Sequence, residues 1–210
     1  MTKFMRYGFS IFCMALTLVW FVAPDSVRAD AIVGKPAPAF TGLTSDGKTV
    51  KLSDYRGKTV VLEWTNHQCP FVGKHYGTSN MQTLQKEAGG KGVVWLSVIS
   101  SAPGRQGHVT GERANELSKS RGAGPAAVIL DEKGIIGRAY EATATPHMYV
   151  IDDKGVLTYK GAIDDIPSAN HDDVPKATNY VRSALAAMAA GKKPEPRATR
   201  AYGCSVKYAR

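Results

Sequence analysis

The stretch Thr59–Tyr76 constrains this chain most. Val60 to Trp64 is an apolar, β-branched run that predicts a buried strand, a short polar turn follows, and Cys69-Pro70 opens a segment of helical character. Proline is well suited to a first helical turn, where its missing N–H would have no partner in any case. Cys69 therefore stands where unpaired backbone N–H groups and the positive end of the helix dipole favour a thiolate over a thiol. That makes Cys69 the first candidate nucleophile.

The rest of the chain surrounds this strand with a regular alternation. Phe40 to Leu43 and Val50 to Leu52, joined by Ser45-Asp46-Gly47-Lys48, predict a β-hairpin. A helical pattern runs from Phe71 to Ala88 and stops at Gly89-Gly90. Val93 to Ile99 reads as a central strand covered on both faces, and the glycine-containing stretch Ser100–Gly111 as a loop near a site. A polar helix over 112–121, a strand over 126–130 and a short helix ending near Ala142 follow. Thr145-Pro146 interrupts the chain before strands over 147–151 and 156–159, and a closing helix is expected over 176–190. This order predicts an α/β fold, a mixed central β-sheet flanked by helices with an N-terminal hairpin and an extended C-terminal tail. Chemistry in open α/β sheets collects at the carboxyl ends of strands, where Cys69 lies.

Three segments are expected. Lys3 and Arg6 precede the apolar run Phe9–Ala23, which ends at Pro24, so residues 1–31 read as a signal peptide cleaved near Ala29 or Ala31. The alternative is a retained anchor, although the run barely reaches the roughly 20 residues that a spanning helix needs. Cys13 leaves with this segment, and export would place the rest in an oxidising periplasmic or extracellular compartment. Residues 32–191 form one domain, and 192–210 a basic tail carrying Cys204. The formal charge is +9. Much of the excess lies in that tail, which is expected to be a solvated charge run. No nucleic-acid-binding signature accompanies it, so no nucleic-acid partner is expected. Cys69 and Cys204 are too few for a disulfide scaffold and lack the paired spacing of a zinc site, which favours nucleophilic or redox chemistry.

The strand, Trp64, the turn, Cys69-Pro70-Phe71-Val72 and the distant Thr145-Pro146 resemble the thioredoxin fold. More narrowly, the chain resembles exported redoxins of the alkyl hydroperoxide reductase and thiol-specific antioxidant family, from about Ile32 to Tyr208. The resemblance implies a cis peptide at Thr145-Pro146 beside the nucleophile. It also implies a proton-shuttling role for Glu63 and substrate contacts from Trp64, His67, Pro70, Thr145 and Pro146. Val72 stands where thioredoxins carry a second cysteine, and Asn66 and Leu62 stand where peroxiredoxins carry a hydroxyl residue and a proline.

The expected activity is thiol–disulfide exchange by an exported antioxidant oxidoreductase, with Cys69 as nucleophile, Glu63 managing the proton and Cys204 or a partner thiol resolving the mixed species. The substrates would be protein or small-molecule disulfides, thiols or peroxides, with an external thiol reductant, no cofactor and no stable membrane span after cleavage. Two alternatives are a thiol peroxidase and a non-catalytic module binding copper or zinc through Cys69, His67 and His147.

Overall fold

The computed structural model describes Met1 and residues 30–209. The signal-peptide reading falls almost wholly on residues outside these, except that Asp30 and Ala31 are described and Ala31 is fully buried in the core.

β1 (Thr41–Thr44) and β2 (Thr49–Lys51) form the expected hairpin, and β3 (Val60–Trp64) follows. α1 (Pro70–Gly77) and α2 (Asn80–Gly89) lead to β4 (Val94–Ile99). α3 (Gly111–Ser120), β5 (Ala127–Leu130) and α4 (Ile135–Ala139) come next, then β6 (Ala144–Thr145) and β7 (His147–Ile151). β8 (Leu157–Gly161), α5 (Tyr180–Ala189) and β9 (Cys204–Ser205) complete the chain. The main sheet runs β2-β1-β5-β4-β3-β7-β8, and β6 pairs with β9 in a small second sheet. β3 pairs parallel with β4 and antiparallel with β7, so the sheet is mixed and β3 lies inside it.

β3 is buried along its whole length because helices or chain cover both faces. Val60, Leu62 and Trp64 join Phe40, Val98, Tyr140 and Tyr149 on one face. On the other, Val61 packs with Met81 and Leu84 of α2 and Val181 and Ala184 of α5. The period-two alternation of a strand thus directs Glu63 into the second face.

Two sequence expectations differ in detail. The helical run over 71–88 is two helices, because Ser79 adopts a left-handed backbone (φ 60°) at the start of α2. The closing helix is shorter than 176–190. A 3-10 turn holds His171–Lys176, and α5 begins after Asn179, whose side chain accepts the Arg182 N–H.

The larger difference is the tail. Lys192, Lys193 and Arg200 are exposed, but the segment itself is a packed strap rather than a solvated run. Lys160 N donates to Arg197 O and Thr199 N to Lys160 O, while Thr199 Oγ1 accepts from Ala162 N at 2.9 Å. Further on, β9 pairs with β6, Val206 N donates to Thr143 O, and the Tyr208 hydroxyl donates to Ala142 O at 2.7 Å. Tyr202 and Val206 are half-buried against the two faces of the core, and that apolar contact favours docking of the strap.

Candidate active site

Cys69 closes the turn after β3 and is the N-cap of α1, with Pro70 in the first turn. It is only 1% exposed, and its Sγ is 3.1 Å from the Thr145 carbonyl oxygen. The Thr145–Pro146 peptide is cis. β9 is in register with β6, Thr145 opposite Cys204, so the strap delivers the second cysteine to the same carbonyl. Burial alone would push the Cys69 thiol up, but hydrogen bonds from the Cys204 side chain, Thr145, and the Val72 and Cys204 backbones bring it below the ordinary cysteine value. The Val72 amide belongs to the first turn of α1, as expected for a thiol at a helix start. Cys204 moves oppositely. Burial and the neighbouring Cys69 sulfur raise it to about 11, against a smaller opposing effect of Lys207. Of the pair, Cys69 is the more acidic thiol. Both are free thiols.

Gly203 makes this approach possible. Its backbone has φ +129°, and a Cβ there would lie 2.0 Å from Thr145 O. Only glycine lets the strap come this close to the cis-proline loop.

A buried polar cluster anchors the strap next to the site. Lys74 of α1 is fully buried, with Nζ 3.4 Å from Asp164 Oδ2 and donating to Ile166 O at 3.0 Å. The Tyr202 hydroxyl donates to Asp164 Oδ1, and its ring packs edge-on against Phe71. His75 hydrogen-bonds Asn80 at 2.8 Å, and burial, then the Lys74 and His171 charges, hold its pKa near 3. Lys74, Asp164, Tyr202 and Gly203 were not among the sequence candidates. The alternating Tyr202-Gly203-Cys204-Ser205-Val206 could have signalled a paired strand.

Glu63 is fully buried. Tyr76 Oη donates to its Oε1 at 2.9 Å, and Trp95 Nε1, Ser97 Oγ and Gln85 Nε2 donate to its Oε2 at 2.9, 3.2 and 3.3 Å. Burial pushes its pKa up, and these donors, with Thr65, only partly offset that. None of its hydrogen bonds reaches Cys69. A cavity of about 30 Å³ bounded by Thr65, Tyr76, Ser97 and Arg121 adjoins the cluster, room for a water or two.

The remaining candidates separate. Pro70 is exposed beside Cys69, and Thr145 and Pro146 form the loop facing it. Trp64 has no exposure; it donates to Ser100 Oγ at 3.0 Å and packs against Tyr149, so it supports the site from below. His67 is half-buried, with a pKa lowered by burial, then Arg121 and Arg113, and its carbonyl accepts from Arg121. His147 accepts from Thr143 N at 3.3 Å, and burial holds it neutral with a pKa near 3. Among the described residues, no three His, Cys, Asp or Glu side chains gather as a metal-binding set. Nor is any helix there long and apolar enough to cross a membrane.

These features agree with the comparisons. The Redoxin family model matches residues 32–181. A thioredoxin peroxidase of Echinococcus granulosus is 30% identical over 156 residues, 65% of this chain and 74% of that protein. An uncharacterized conserved protein of Geobacillus kaustophilus has a TM-score of 0.72 at 24% identity, covering 85% of this chain and 93% of that one. The thioredoxin domain of a thiol-disulfide oxidoreductase from Bacteroides vulgatus has a TM-score of 0.50 at 21% identity, covering 69% of this chain and 96% of that one. A β3–α1 junction with a cysteine at its helix start, a Thr145–Pro146 loop facing it and a family match across the domain lead to one assignment: the chain belongs to the Redoxin family and has a thioredoxin-like fold.

Proposed function

We propose that this redoxin is a thiol–disulfide oxidoreductase whose working pair is Cys69 and Cys204. The observation that carries the reading is that β9 sets Cys204 opposite Thr145, whose carbonyl oxygen is 3.1 Å from Cys69 Sγ. Cys69 is sealed while the strap is docked, so the first step needs the strap raised. The Cys69 thiolate then attacks a substrate disulfide, forming a mixed disulfide and releasing one substrate thiolate. As the strap returns, Cys204 loses its proton to solvent and attacks Cys69 Sγ. The mixed disulfide breaks, the second substrate thiolate leaves, and a Cys69–Cys204 disulfide remains. An external dithiol then restores both thiols and is itself oxidised. Glu63, whose pKa burial raises, would act as a proton reservoir through the adjoining cavity rather than by direct contact with Cys69.

The similarity to a thioredoxin peroxidase favours a second reading, in which Cys69 attacks a peroxide. Its sulfenic acid would condense with Cys204 to the same disulfide, releasing water. Against it, Asn66 stands where peroxiredoxins carry a hydroxyl, and no cation is among the groups that lower the Cys69 pKa.

Stopped-flow tryptophan fluorescence with oxidised glutathione or hydrogen peroxide separates the two readings. Cys204→Ser should accumulate a Cys69 mixed disulfide with glutathione, visible by mass spectrometry. An unreactive Cys69 towards both oxidants would defeat both readings, and a fast reaction with peroxide alone would replace the first by the second. Export is part of the proposal. Cleavage after Ala29 would keep Ala31 in the core, which N-terminal sequencing of the processed protein tests.

A further inference from the structure

Thr59 and Val93 precede the parallel strands β3 and β4, so they mark the end of the sheet opposite Cys69. A cleft of about 840 Å³ opens there. This is the size of a small-ligand site. Six cationic side chains line it: Lys58, Lys91, Lys154, Lys192, Lys193 and Arg197. The lining carboxylates are Asp152 and Asp153, and Asp152 is committed to its own turn, accepting from Lys154 N and Val156 N. No salt bridge engages any of the six cations among the described residues. Arg197 Nε is buried there without a hydrogen-bond partner.

The floor has different chemistry. Val93, Val156, Leu185 and Met188 line it, and Val93, Leu185 and Met188 are only partly buried against the core. A rim of unpaired cations over an apolar floor matches an anion attached to an apolar body better than a free anion.

We propose that this cleft binds the phosphate-bearing headgroup of an anionic phospholipid, holding the protein on an acidic membrane surface with the Cys69 end directed outward. Lys192, Lys193 and Arg197 open the strap that carries Cys204, but they lie at the end of the sheet opposite Cys69, so membrane contact and thiol exchange can be assayed separately.

The test is sedimentation of the protein processed after Ala29 with vesicles of phosphatidylcholine alone, or with about one third phosphatidylglycerol, beside the variant Lys91→Glu/Lys193→Glu. A preference of roughly tenfold or more for anionic vesicles is expected, lost in the variant, since each basic residue near such a surface contributes about fivefold. The Cys69–Cys204 redox equilibrium should be unchanged in that variant, which also shows that it folds. Equal binding to both vesicle types, or a preference that survives in the variant, overturns the proposal. Release from the vesicles by micromolar inorganic phosphate overturns the lipid assignment in favour of a soluble anion.

Discussion

Replacing Gly203 by alanine should uncouple the two thiols without unfolding the domain. The added Cβ would sit 2.0 Å from Thr145 O and 2.8 Å from Thr145 C, both backbone atoms of the loop that faces Cys69. The loop cannot yield without disturbing that contact, so the strap must. Holding a non-glycine residue at φ +129° costs about 1–3 kcal/mol, and a lost β6–β9 backbone hydrogen bond about 1 more. A docking penalty of about 2–4 kcal/mol corresponds to roughly 30- to 700-fold in equilibrium constant. Titration of the Cys69–Cys204 disulfide against a glutathione redox buffer, read by mass spectrometry, should show the variant easier to reduce by about 45–85 mV. Cys69 should also react faster with an external disulfide, because the strap no longer covers it. Far-UV circular dichroism should stay unchanged. A redox equilibrium within about threefold of wild type in a folded Gly203→Ala protein would refute the placement of Cys204 opposite Thr145.

The other predictions concern buried charges. Glu63 has a folded pKa above its ordinary value of 4.5, so the stability it permits is complete below that value and is lost as the pH rises through the folded pKa. Glu63→Gln should remove this dependence: its stability relative to wild type should rise by up to about 1.4 kcal/mol per pH unit above 4.5, then level off, in urea denaturation at a series of pH values. A constant difference from acid to neutral pH would count against it. Lys74→Met strands Asp164, which is 2% exposed, and should cost about 3–5 kcal/mol, while Lys74→Met/Asp164→Asn should recover much of that. Because Tyr202 rests on the same carboxylate, the single variant should also expose Cys69 to faster alkylation.

The β3–α1 junction was legible because its signals are local. A β-branched run, a turn and a proline after a cysteine each act within a few residues, and they place Cys69 at the helix start in sequence and structure alike. The hairpin and the succession of strands and helices along the chain followed from the same kind of pattern. What the sequence hid depends on partners far along the chain. The charge of 192–210 speaks for solvation, and the segment's fate is decided instead by Tyr202, Val206 and Tyr208 finding apolar surface more than fifty residues away. Lys74 looks like a surface residue until Asp164 and Tyr202 appear beside it. Histidine proximity to Cys69 in sequence likewise says little, since His75 is buried and neutral within its own hydrogen-bond network.

The strap is also made later than the site it covers. Cys69 leaves the ribosome 135 residues before Cys204, which at about 5–20 residues per second is a delay of several seconds or more. During that interval the domain can assemble around an unguarded, reactive thiol, and any chain cut short before Cys204 would keep it so. A copy cut before Cys204 would therefore be a sink for stray disulfides rather than an inert fragment.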